Sequence, residues 1–429
     1  MAQVKPFRGL LYNPDLLDDL SNIICPPYDV ISSQMQTELY QKSPYNMVRL
    51  EEGLNNSTDD DCNNRYTRAA STLQKWIDSK ILIRDTNPAF YVLNHRFSYG
   101  GKTIERLGFI GAVKLEPQDK EIILAHEYTR PEPKVDRLQL MEACHANFSQ
   151  IMLCYRDDST QLSSILKQVS KSVPDFSFCG GAEGNYSLWR ITDSSTSKLI
   201  SDSMSSKQLY IADGHHRFET ALTYRNNALS KESLPDEASN FTMSYLVDFD
   251  DPGLIVQGYH RIVHTLDENA SKNLWSRIRE IFDIHRLDSQ ASNDIGKVLE
   301  EIQYKGKSNY CMGLLTAEEP PLILSLRTKF IPENMEPMSC LEAWLLEELL
   351  LKPILGSNLE QHVSWIHDPE EAAQQTNAEL GSLAFLLNPI SFDLFESIVK
   401  NGKKLPRKST FFYPKVPSGL TINLLNGTI

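Results

Sequence analysis

The densest reactive cluster in the chain is Asp213-Gly214-His215-His216-Arg217, preceded by Leu209, Tyr210 and Ile211. That apolar, partly β-branched approach reads as the end of a strand. Gly214 permits a sharp turn with positive φ or the close approach of a ligand. Beyond it, Phe218, Ala221, Leu222, Arg225 and Leu229 recur at helical spacing. The cluster therefore sits at a helix start, where backbone N–H groups and the positive end of the dipole favour an anion such as phosphate. Arg217 adds a guanidinium fork for phosphate oxygens. His215 or His216 can donate a hydrogen bond or a proton to a transferring oxygen. Asp213 either caps the helix or serves the chemistry, and capping alone does not account for two histidines beside an arginine. Glu219 falls on another side of the helix and is expected to orient partners.

A second cluster, His126-Glu127-Tyr128-Thr129 with Lys134, Asp136 and Arg137, surrounds Pro131 and Pro133. The prolines mark a loop, with a helix expected from about Asp136. Glu127 is placed as a general base or Mg²⁺ ligand, and Lys134 and Arg137 on phosphate oxygens. His126 and Thr129 are candidate substrate contacts. A third stretch, Pro26-Pro27-Tyr28-Asp29, cannot be helical, because consecutive prolines hold the chain extended. Its rigidity suits holding Asp29, the other candidate base, in a pocket, with Tyr28 beside it as a substrate contact. His260 and Arg261, at a strand end, are further candidate substrate contacts. Lys408-Ser409-Thr410 and Lys415 form no Gly-rich phosphate loop and read as a structural, aromatic tail. No GxxxxGK[ST], HExxH, nucleophile elbow or GxGxxG occurs, which removes the usual support for P-loop, zincin, α/β-hydrolase and dinucleotide folds.

Strands alternate with helices along the chain, giving a mixed α/β (α+β) class. The periodicity predicts helices over 33–41, 65–80 and 161–173, a hairpin over 89–115 turning at 99–102, and strands over 151–155, 186–191, 241–249 and 254–263, while 44–50 reads as a turn into a strand. Ser32 or Ser33 caps the first of these helices. An apolar helix is expected over 341–351. At 429 residues the chain exceeds a usual single domain. The change to a Lys/Glu-rich helical pattern near Asp267 suggests domains of 1–266 and 267–429.

The net charge of −13 argues against a nucleic-acid footprint. No apolar run reaches the length of a membrane span. Residues 1–10 lack the charged-then-apolar pattern of a signal peptide. Seven scattered cysteines, never in a CxxC pair, fit a reducing compartment, so a cytoplasmic location is expected.

Pro26-Pro27-Tyr28-Asp29-Val30, Pro44-Tyr45-Asn46, His126-Glu127-Tyr128-Thr129, Asp136-Arg137, Ala212-Asp213-Gly214-His215-His216-Arg217 and Lys408 through Lys415 occur in one order. Together they resemble the prokaryotic family carried as domain of unknown function 1015, over nearly the whole chain. The Asp-Gly-His-His-Arg core is also similar to the nucleotide-contacting motif of free serine kinases, in the superfamily that joins ParB proteins with sulfiredoxin. That resemblance implies a ParB/sulfiredoxin-like nucleotide-binding core with large insertions, followed by a C-terminal α+β domain. It places Asp213, Gly214, His215, His216 and Arg217 at the nucleotide phosphates. The implied activity is phosphotransfer between ATP or ADP, with Mg²⁺, and a small polar metabolite such as serine or O-phosphoserine. A metal-dependent phosphatase using Asp213, His215, His216, His126 and Glu127 as ligands is the enzymatic alternative. A non-catalytic nucleotide-binding regulator is the third. Substrate, donor, direction of transfer and oligomeric state are left open by the sequence.

Overall fold

A computed structural model describes residues 2–17, 20–180, 184–228, 234–287, 294–333 and 336–429; Leu229 lies outside them. The chain is mixed α/β and divides into two compact units, Met1–Ile255 with Pro414–Ile429, and Val256–Tyr413. The boundary expected at 266/267 thus falls inside the second unit, and the last stretch of chain returns to the first.

The first unit is built on a nine-stranded sheet among its described residues. Its strands are β1 (Val4–Lys5), β2 (Phe90–Tyr99), β3 (Lys102–Lys114), β4 (Ile123–Leu124), β5 (Ile151–Tyr155), β6 (Phe176–Cys179), β7 (Asn185–Ile191), β8 (Leu209–Asp213) and β9 (Phe241–Asp248). The order is β4-β8-β5-β9-β3-β2-β7-β6, with β1 on β3. The β2–β3 hairpin turns through Gly100 and Gly101, both at positive φ, as the glycine pair requires. Two pairs are parallel, β4 with β8 and β5 with β9. Central strands such as β5, LMCY-rich and buried at every position, read as continuous apolar runs because the sheet is covered on both faces there.

Helices α1 (Ser33–Lys42), α2 (Val48–Glu51), α3 (Arg65–Asp78), α4 (Pro131–Cys144), α5 (Gln161–Val169), α6 (Ser194–Ser205) and α7 (His215–Ala228) belong to this unit. Ser32 caps α1 by accepting from the Met35 N–H, as its position before the apolar pattern foretells. Three expectations are overturned. Residues 44–50 form not a strand but a turn into α2, because the buried Asn46 side chain organises them. Its amide donates to the Asn22 and Ile24 carbonyls, and its Oδ1 accepts from the Val48 N–H. Helix α4 begins at Pro131, not near Asp136, since prolines in a first turn remove N–H groups that have no helical acceptor. Residues 28–30, expected to stay extended, close a single 3₁₀ turn directly after Pro27.

The second unit holds a six-stranded antiparallel sheet in the order Phe282–Arg286, Leu322–Leu326, Cys311–Thr316, Leu383–Leu386, His260–Val263, Val363–Ile366. The residues 254–263 expected as one strand are divided, with Gly258 against the Leu387 and Asn388 carbonyls between the pieces. The apolar helix expected over 341–351 widens into a π turn over Glu347–Leu351.

Asn46→Ala removes three side-chain hydrogen bonds, two of them buried, and leaves their backbone partners unsatisfied. We expect a loss of about 3 kcal/mol of stability, measured by denaturant unfolding of the whole chain. An unchanged midpoint would show that Asn46 does not hold α2.

Candidate functional site

Parallel neighbours end on the same edge of a sheet. Leu209 and Tyr210 of β8 pair with Ile123 and Leu124 of β4, so the chain leaving β4 and the chain leaving β8 emerge together. The first becomes His126-Glu127, and the second becomes Gly214 and the start of α7. Antiparallel β5 begins at that edge, which brings Gln150 beside them. Between Ile211 and Asp213 the register against β5 shifts, and this bulge re-aims Asp213 at the strand end. Gly214 then turns at φ +92°. A Cβ there would also lie 3.0 Å from the Arg217 guanidinium, so the position requires glycine twice over. The first helical bond of α7 runs from the Phe218 N–H to the Gly214 carbonyl, which leaves the amides of 215–217 ahead of the helical ladder.

Both histidines clasp the 126–130 segment. The His126 N–H donates to His215 Nε2 at 3.3 Å, and the Arg130 N–H donates to His216 Nε2 at 2.9 Å. A backbone amide can only donate, so each Nε2 carries the lone pair and each neutral ring holds its proton on Nδ1. His215 Nδ1 faces the Glu127 carboxylate at 3.5 Å, and His126 Nε2 lies 3.9 Å from its other oxygen. Glu127 is thereby oriented between two rings with its side chain about one-third exposed. Burial holds the His216 pKa below its ordinary value, against the opposing charges of Asp29 and Glu219.

His126, Glu127 and His215 also place one ligand atom each within 4.8 Å of one another, a spacing compatible with a metal ion. Asp213 and His216, expected as further ligands, do not join that group. An ion on His215 Nδ1 would displace the proton that the backbone bond at Nε2 puts there, so the donor set fits a metal poorly.

Arg217 is buried. Its guanidinium donates to an Asp213 oxygen and, at 2.8 Å, to the Gln150 carbonyl, while Nε has no hydrogen-bond partner. The other Asp213 oxygen accepts from the Lys415 ammonium. Burial alone would raise the Asp213 pKa, but Lys415 and Arg217 together hold it well below the usual carboxylate range. Asp213 is therefore a weak proton acceptor with a cation on each oxygen. Beside Arg217 lies a cavity of about 40 Å³, where Glu51, Arg137, Ser149 and Thr242 join an apolar lining that includes Leu140, Met141 and Phe148. Glu51 accepts from the Ser149 hydroxyl at 2.8 Å, and burial pushes its pKa up against the pull of Arg137 and Arg217.

Several expected ligand contacts have internal partners instead. Thr129 and Lys134 donate to Glu219 at 2.6 and 3.0 Å, which is the partner-orienting role foreseen for Glu219. Arg137 is held by Glu52, Asp136 and the Glu51 carbonyl, and its guanidinium covers the Tyr28 ring at 4.2 Å. Tyr28 is thus fixed as a wall, while the charge of the exposed Asp29 acts on Arg217 and His216. His260 and Arg261 belong to the second unit and are buried there. His260 Nδ1 accepts from the Leu387 N–H, and Arg261 binds Glu347 of the π turn at 3.1 Å and the Tyr259 carbonyl. Lys415, Gln150 and Glu51 are the site neighbours that sequence reasoning missed. Only the paired cations of the 408–415 motif hinted at the first.

At neutral pH, ¹⁵N spectra should show Nε2 unprotonated and Nδ1 protonated in both His215 and His216. His216 should titrate below its ordinary value of 6.5. Because that folded-state pKa is lowered, its contribution to stability is lost as pH falls through the imidazole range. The opposite tautomer in either ring would contradict the clasp.

No curated protein matches the chain. Among solved structures, similarity is found to a free serine kinase variant in complex with ADP, at 11% identity and a TM-score of 0.34, covering 70% of this chain and 89% of that one. SbnI with a C-terminal truncation, from Staphylococcus aureus, is 10% identical with a TM-score of 0.38, covering 73% and 87%. A conserved hypothetical protein from Pyrococcus furiosus is 12% identical with a TM-score of 0.33, covering 71% and 92%. A family model described as "Protein of unknown function (DUF1015)" matches residues 4–337, and the chain belongs to that family.

Proposed function

We propose that the first unit binds a nucleotide by its phosphates at the start of α7 and transfers a phosphoryl group to or from a small polar metabolite. The observation that carries this reading is the meeting, on one sheet edge, of an oriented carboxylate and a helix start backed by a buried arginine. Phosphoryl transfer needs mainly positioning and charge stabilisation, which are what that arrangement offers. The amides of 215–217 and Arg217 receive the phosphate oxygens.

In the transfer step the substrate hydroxyl oxygen forms a new bond to phosphorus, and the bond from that phosphorus to the nucleotide's bridging oxygen breaks. Glu127 takes the hydroxyl proton, held in line by His215 Nδ1–H. Mg²⁺ would supply further neutralisation of the phosphates. It takes oxygen ligands, and Glu127 and the exposed Asp29 are the carboxylates of suitable kind at this edge. Serine or O-phosphoserine with ATP or ADP is the substrate pair that the motif's kinase likeness suggests. A protein that binds nucleotide without turning over any metabolite would instead be a regulator.

Arg217→Ala should weaken nucleotide binding by about 1.5–3 kcal/mol, read by calorimetric titration, because it removes charge-assisted bonds. Glu127→Gln should abolish turnover while sparing the melting temperature. An active Glu127→Gln protein would hand the base role to Asp29. A thermal-shift screen against nucleotides and phosphorylated amino acids tests the reading as a whole, and no shift with any nucleotide contradicts it.

A further inference from the structure

The chain returns to the first unit at Pro414, beyond the residues that match the family model, and Lys415 comes next. This returning segment is pinned along its length. Gln150 donates to the Pro417 carbonyl at 2.9 Å, Cys25 and Ser418 exchange backbone bonds, Ile422 bridges Leu10, and Asn423 pairs with Asn147. Lys415 is therefore a fixed cation, with only 17% of its side chain exposed.

Asp213 carries two cations, one on each oxygen: Arg217 on Oδ2 and Lys415 on Oδ1. Neither is well exposed, and burying cations is costly unless their charge is matched. The other acids whose charges act on Arg217 are Asp29, at the exposed 3₁₀ turn, and Glu51, which also faces Arg137. The carboxylate thus acts as a spacer that sets an ammonium and a guanidinium side by side at the start of α7. Arg217 Nε, buried and without a hydrogen-bond partner, lies 3.0 Å from the position a Gly214 Cβ would take.

Building on the phosphate-site reading above, we infer that Lys415 is a phosphate-contacting residue, forming with Arg217 a two-cation clamp for the terminal phosphate of a nucleoside di- or triphosphate. Asp213 is then a positioning residue that spaces the clamp. A point-charge ammonium and a planar fork suit different oxygens of one phosphate group.

The test is calorimetric titration of the full chain with ADP and with adenosine. Lys415→Met should weaken ADP at least about ten-fold, the size of one charge-assisted bond, and leave adenosine unchanged. Lys415→Arg should restore most of the ADP affinity. The double variant Asp213→Asn with Lys415→Met removes both charges together. It should stay weak if Lys415 touches phosphate, whereas wild-type ADP affinity in it would show that Lys415 only neutralises Asp213 and would overturn the inference. Unchanged ADP affinity in Lys415→Met overturns it too, while leaving the phosphate site itself standing. A wild-type chain that binds no ADP removes the phosphate-site reading and the clamp with it. Should Lys415→Met fail to fold, ¹⁵N spectra of the lysine Nζ groups in wild-type protein carry the test. ADP, but not adenosine, should shift the Lys415 signal, and an unmoved signal overturns the clamp.

Discussion

Two residues of parallel strand pairing set the whole site. Leu209 and Tyr210 lie beside Ile123 and Leu124. Segments separated by about ninety positions in sequence must then leave the sheet at the same edge. If that pair were antiparallel, Glu127 and the start of α7 would emerge at opposite ends of the strands. The bulge before Asp213 and the turn at Gly214 refine the placement, but they act on an arrangement that the pairing has already decided.

Given that edge, the polar groups divide into those that hold the loops and those left to face a ligand. The two histidines, which by type alone suggest acid–base work or metal binding, accept from backbone amides and fix the 126–130 segment to α7. Glu219, one turn along the same face of α7, collects Thr129 and Lys134. Glu52 and Asp136 take Arg65 and Arg137. These bonds tie the loops together around Glu127, which lies between the rings of His215 and His126. Preorganisation of this kind is what electrostatic catalysis of group transfer asks of a scaffold, since no reorganisation then accompanies the reaction.

Local chemistry was legible in the sequence, and long-range chemistry was not. The apolar approach, the Gly214 turn and the helix after it follow from nearest-neighbour rules, as do the Ser32 cap and the β2–β3 hairpin. The start of α4 was misplaced because prolines signal loops in general, yet are well suited to a helix's first turn. The 44–50 segment reads locally as a turn into a strand, but the Asn46 side chain reaches back over twenty residues to decide otherwise. Lys415 reaches Asp213 across 202 positions, and no spacing rule could have joined them. Arg261 shows the converse: a charged residue at a strand end that finds Glu347 inside its own unit.

The central claim is that the start of α7 receives the phosphates while Glu127 faces the transferred group. A crystal structure of the chain with ADP tests it most directly. The β-phosphate should lie within hydrogen-bond distance of the 215–217 amides and the Arg217 guanidinium, with the Glu127 carboxylate facing it. ADP bound away from α7, or with its phosphates turned from Arg217, would contradict it.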